Sequence, residues 1–161
     1  DFHLPARLSA FDGSWAGGAT ALMRRVTLGF QPGQWLLDGR TFDMLDATSE
    51  ETVAAGSTQI WELVNEAGMM GMQMAHPIHL HGRQFRVVSR QGSTAAGLAV
   101  REGLIDSGWL DTVLVMPGET VRIKIPFTRH PGLYLYHCHI LEHEDMGMMR
   151  NFRVVAASSR P

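Results

Sequence analysis

The sequence predicts an all-β domain built as a Greek-key sandwich or barrel. Short β-rich runs recur along the chain, turn signals separate them, and apolar and polar residues alternate within them. Alternation is clearest in Val121-Arg122-Ile123-Lys124-Ile125, where apolar and basic side chains take opposite faces. Strands are expected over residues 23–30, 58–65, 78–80, 84–90, 111–115, 120–127, 133–138 and 151–156. Turns fall at Gln31-Pro32-Gly33, Asp38-Gly39, Glu66-Ala67-Gly68, Pro117-Gly118-Glu119 and His130-Pro131-Gly132. Residues 91–108, rich in small side chains, read as a long loop with room for a short helix. Residues 1–22 read as an N-terminal arm or linker, 23–156 as the domain and 157–161 as a frayed tail.

Composition bounds the function. A chain of 161 residues with 45% hydrophobic content suits one domain with a core of its own. A formal net charge of -2 points to neither nucleic acid nor an anionic membrane surface. No apolar run approaches a membrane span. The start, Asp1-Phe2-His3-Leu4-Pro5, has neither a basic region nor an apolar one, so no signal peptide is expected in this stretch. The single cysteine, Cys138, excludes an internal disulfide.

That cysteine lies between two histidines. The eight histidines cluster in His76-Pro77-Ile78-His79-Leu80-His81-Gly82 and around His137-Cys138-His139, leaving His3 and His130 apart. Strand side chains alternate faces, so His79 and His81 share one face and His76 takes the other or sits where the strand begins. The same parity sets His137 and His139 on one face and Cys138 on the opposite one. If the two strands lie side by side, four imidazoles converge on one metal centre, and His76 and Cys138 on another. Downstream, His143 follows Cys138 by five residues and Met148 follows His143 by five. A thiolate, two imidazoles and a weak thioether at this spacing are the donor set of a blue-copper site, with His76, Cys138 and His143 equatorial and Met148 axial. Zinc is the chemical rival, but seven His and Cys donors plus a spaced Met exceed what one closed tetrahedral site needs. Because Cys138 is covalently joined to His137 and His139, it would also connect the two centres.

These two motifs, extended through Ile140-Leu141-Glu142-His143-Glu144-Asp145-Met146-Gly147-Met148-Met149, resemble the signatures of the last domain of multicopper oxidases, the family of laccases, bilirubin oxidases and copper-tolerance oxidases. Leu37-Asp38-Gly39-Arg40-Thr41-Phe42-Asp43, Trp109-Leu110-Asp111-Thr112-Val113 and Pro117-Gly118-Glu119 add to the resemblance, which covers most of residues 23–156. It implies a cupredoxin-like fold and copper as cofactor. It implies type 1 copper ligands at His76, Cys138, His143 and Met148, a type 2 ligand at His79, and ligands of a type 3 pair at His81, His137 and His139. It further implies a reducing substrate, O2 reduced to water, and a periplasmic or extracellular setting. The four cluster histidines that the family draws from two further His-x-His motifs are absent here. The expectation is therefore a domain of a longer chain, or one that works beside other cupredoxin domains supplying those ligands. The alternatives are a free-standing electron-transfer cupredoxin, which has no use for His79, His81, His137 and His139, and a scaffold that has lost its metal, which the intact ligands argue against.

Several residues carry two readings. Met69, Met70, Met72 and Met74 either bind Cu(I) or fill space. Met146 and Met149 flank the axial position and could shield it. Glu142, Glu144 and Asp145 either orient His143 or carry protons, or are solvated loop charges. Asp111 either accepts a bond from a ligand histidine or ends a strand. Trp109 lines the entrance to the type 1 centre or is ordinary core, and Tyr134 and Tyr136 read as packing.

Overall fold

The first turn reverses the chain into the first hairpin. In the computed structural model, which describes residues 22–65, 74–92, 106–127 and 129–156, β1 (Leu22–Gln31) returns as β2 (Gln34–Leu37). The remaining strands are β3 (Thr52–Ala54), β4 (Thr58–Asn65), β5 (His76–Leu80), β6 (Arg86–Gly92), β7 (Thr112–Val115), β8 (Glu119–Pro126), β9 (Gly132–Cys138) and β10 (Met149–Val155). A single short helix, α1 (Leu141–Asp145), stands between the last two among the described residues. The strands form two five-stranded sheets, ordered β2-β1-β4-β8-β6 and β3-β10-β9-β5-β7. The pairs β1–β4 and β3–β10 are parallel and the others antiparallel.

Apolar alternation builds the interior. Along β8 every second residue is buried, so Val121, Ile123 and Ile125 face inward while Arg122 and Lys124 do not. They join Trp61 and Leu63 of β4, Ile78 and Leu80 of β5, Tyr136 and Cys138 of β9 and Phe152 of β10 in one core drawn from both sheets. Each fully buried side chain of this size contributes about 1.5–3 kcal/mol. Beside the core runs a buried polar chain. Arg150 holds Glu51 with two bonds, of 2.9 and 2.7 Å, the Tyr136 hydroxyl donates to Glu51 at 3.0 Å, and Arg24 donates to Tyr136 at 2.8 Å.

The structure departs from the expected elements in particular places. β2, β3 and α1 were not expected, because four, three and five residues are too short for a period to show. The strand expected at 84–90 starts two residues later. Phe85 instead makes an isolated bridge to Leu110, and a bulge separates Val87 from Ser89. Gln91 and Gly92, placed in the long loop, extend β6, and Leu22, placed in the arm, begins β1. The rest of the arm, His3, the 66–68 turn, Met69, Met70 and Met72, most of the 91–108 loop and the tail lie outside the described residues.

Candidate metal centres

Strand pairing decides which histidines meet. β5 and β9 are antiparallel neighbours with Ile78 opposite Cys138, His79 opposite His137 and Leu80 opposite Tyr136. Directly opposed residues share a face, so His79 and His137 project together while Cys138 turns into the core with Ile78. His76, two residues before Ile78, turns inward with it and is 2% exposed.

The inner group is sealed. Cys138 Sγ lies 3.6 Å from His76 Nδ1 and 3.6 Å from His143 Nδ1. The three donor atoms all fall within 4.8 Å of one another, and all three residues are buried. His143 comes from α1, and Met148, fully buried, sits just before β10. The Met148 backbone ties these parts together: its N–H donates to the His143 carbonyl at 2.9 Å and its carbonyl accepts from Cys138 N–H at 3.0 Å. Gly147 makes the return possible. It adopts φ +93°, and a Cβ there would sit 3.3 Å from Thr41.

The same burial sets the protonation states. Burial, opposed by a backbone hydrogen bond from Ile140, pushes the Cys138 thiol up to about 11. Burial, with the neighbouring His143, pulls His76 down to about 4, and burial likewise lowers His143. Neutral imidazoles facing a soft sulfur form a donor set suited to a thiophilic redox metal, and a metal ion can displace the thiol proton that water would leave in place.

The outer group is more open. His79, His81 and His137 bring ring nitrogens within 4.8 Å of one another. His81 and His137 meet Nε2 to Nε2 at 3.0 Å. His139, an exposed residue held by its N–H to the Pro77 carbonyl at 2.7 Å, places its ring 5.5 Å from His79 and 5.4 Å from His137. Two of these rings are oriented from behind. His79 Nδ1–H donates to the Asp111 carbonyl at 3.0 Å and to Thr112 Oγ1 at 2.9 Å, and His137 Nδ1–H donates to the Cys138 carbonyl at 2.9 Å. A proton fixed on Nδ1 leaves the Nε2 lone pair free for a metal. His81 is shifted down by burial first and then by the charges of His137 and His79. Gly82 ends this strand at φ +63°, where a Cβ would meet Tyr134 at 2.9 Å.

Seven of the residues singled out from the sequence thus gather in these two places, and Met148 is tied to the inner one through its backbone. Asp111 meets His79 mainly through its backbone carbonyl; its carboxylate stands 3.8 Å away. Trp109 lines an open hollow with His79 and Asp111, on the outer group's side rather than at the entrance to the Cys138 group. Glu144 is half-buried, and its charge raises both the Cys138 thiol and His81, whereas Glu142 supports protonated His143. Tyr136 is fully buried in the polar chain. His130 offers its carbonyl to the Tyr134 hydroxyl at 3.0 Å. Trp35 was missed. Its ring stacks on His143 at 3.9 Å, and its position straight after a recognised turn was the available signal.

A β-sandwich that presents a Cys-His-His group inside and histidines outside defines a cupredoxin-type metal domain. A multicopper oxidase family model matches residues 18–158, and the chain belongs to the multicopper oxidases. It is 40% identical over 111 residues to a laccase of Bacillus subtilis, an alignment covering 62% of this chain and 21% of that protein. It is 32% identical over 149 residues to a bilirubin oxidase of Albifimbria verrucaria, covering 92% of this chain and 24% of that one. The structure of a multi-copper oxidase from Pediococcus acidilactici superposes with a TM-score of 0.78 at 34% identity, over 100% of this chain and 32% of that one. The chain thus spans about a fifth to a quarter of the length of these curated relatives. Copper is the metal of this family, and the inner donor set fits it.

Proposed function

We propose that this chain is the C-terminal domain of an oxidase that takes electrons from a reducing substrate and reduces O2 to water. In this reading His76, Cys138, His143 and Met148 hold a type 1 copper. His79 serves a type 2 copper, and His81, His137 and His139 a type 3 pair, with other cupredoxin domains supplying the remaining cluster histidines. The supporting observation is the 3.6 Å approach of Cys138 Sγ to both inner Nδ1 atoms while the adjoining His137 joins His79 and His81 on the opposite face. Bound copper would supply one-electron redox chemistry, which protein side chains of this kind lack.

The chain's own residues do the rest. Cys138 would hold the metal as a thiolate, a form that the backbone hydrogen bond from Ile140 favours. Burial keeps His76 neutral, so its lone pair is available at ordinary pH. The Asp111 carbonyl and Thr112 hydroxyl hold the proton of His79 on Nδ1. The covalent run His137-Cys138-His139 joins the two groups directly through the backbone. Four outward imidazoles would serve no purpose in a simple electron carrier. A periplasmic or extracellular setting belongs to the same reading.

The test is Cys138→Ser in the full-length protein that contains this domain. Blue absorption and O2 consumption should both vanish, and a variant that stays blue would overturn the assignment. The chain alone should consume O2 slowly or not at all, and rapid turnover by it would show that no other domain is needed.

A further inference from the structure

The Cys138 group has a neighbour that binds no metal. Trp35, on β2 of the opposite sheet, stacks on the His143 ring with centroids 3.9 Å apart and planes 25° apart. It also meets His76 edge-on at 5.2 Å and 66°. The other tryptophan contacts in the core are looser: Trp61 meets Phe127, Tyr136 and Phe152 at 5.8, 5.5 and 6.0 Å, none of them stacked. Beside it on the same sheet face stands Phe30, its cross-strand partner at 4.7 Å, which is 37% exposed.

His143 needs such a restraint. Its helix has five residues and no side-chain N-cap, and Leu141 and Glu142 beside it are exposed. So short a helix does not hold a side chain in one rotamer by itself. An aromatic face across the sandwich does, because offset stacking fixes both the plane and the position of the ring. Groups behind a ligand commonly set its orientation, and with it the properties of the metal.

We propose that Trp35 is the positioning residue of the inner centre: it sets the plane of His143, braces His76, and with Phe30 closes that side of the site to water. The proposal rests on the reading of this centre as a type 1 copper site, and the experiment separates the two. The full-length protein is compared with Trp35→Phe, which keeps a ring, and Trp35→Met, which fills space without one. The first readout needs no metal. The His143 Cε1–H proton resonance should be displaced by the indole ring current in the native protein, partly so in Trp35→Phe, and not in Trp35→Met. The second is the copper-loaded protein at equal copper content. Trp35→Met should lose at least half of its blue absorbance and show a wider cupric hyperfine splitting, and Trp35→Phe should restore most of both.

An undisplaced His143 resonance in the native protein overturns the positioning role even if the protein is blue, and this readout stands whether or not Trp35→Met folds. A folded Trp35→Met whose blue band and hyperfine splitting equal the native ones also overturns it. A native protein with the displaced resonance but no blue band on copper loading overturns the type 1 reading instead, and removes the metal from Trp35's role.

Discussion

The inner and outer groups are built on the same two strands and differ in what surrounds them. His76, Cys138 and His143 are 2%, 0% and 4% exposed, and Trp35 of the core packs on both imidazoles. His79 is half-buried, His139 exposed and His137 buried, and behind His79 stand a backbone carbonyl and a hydroxyl rather than a stacked tryptophan. The difference follows from strand parity. Side chains pointing into a sandwich inherit its packing, and those pointing out await whatever covers that face. In the proposed reading, the electron-transfer site takes the first position and the site completed by another domain takes the second.

Removing the inner sulfur breaks the comparison most sharply. Cys138→Ser should abolish blue absorption completely while copper still binds the outer imidazoles, as metal analysis with electron paramagnetic resonance would show. Loss of copper from both groups would mean that they are not separable.

The next largest effect comes from the buried polar chain beside the core. Burial raises the Glu51 carboxyl, but the Arg150 hydrogen bonds, the Thr48 N–H and the charges of Arg150 and Arg24 outweigh it and bring it down to about 2 from 4.5. The folded-state value is depressed, so between these two values the unfolded chain binds more protons and stability rises with pH. Glu51 should contribute fully above pH about 4.5, and its contribution should fade as pH falls toward about 2. Glu51→Gln should lower stability by about 3 kcal/mol at neutral pH, because it leaves Arg150 and Arg24 without their buried anion. It should also flatten the acid limb in that window. Chemical denaturation followed across pH checks both, and an unchanged acid limb would assign it to other carboxyls.

Thr112→Val sharpens the contrast from the open side. It removes one acceptor behind His79 Nδ1 and should weaken metal binding at the outer group by about 10- to 100-fold. The blue band should not change. Titration with copper followed at both signals separates the two groups, and a fading blue band would contradict their independence.

Gly82→Ala is the smallest change. It forces a side chain into φ +63° against the Tyr134 ring, 2.9 Å from the new Cβ. A loss of about 1–2 kcal/mol is expected, since strain of this kind costs about that much. Thermal unfolding reads it, and the blue band of the folded protein should be unaffected, because Gly82 lies beyond the end of β5 and its added Cβ meets Tyr134 rather than His76, Cys138 or His143.

Much of this was legible in the residues alone. Alternation in Val121-Arg122-Ile123-Lys124-Ile125 and the turns around it indicated an all-β domain, because a period of two reports a half-buried strand directly. The parity of His79 against His76, and of His137 against Cys138, determined which ligands share a face before any pairing was known. The register that sets His79 opposite His137, the α1 turn that carries His143 back to Cys138, and the placing of Trp35 on that imidazole were decided only in three dimensions. So was the meeting of Glu51 with Arg150, 99 residues apart. Local pattern records which way a side chain points, but contacts between distant segments follow from how the two sheets pack, and no short window of sequence contains that information.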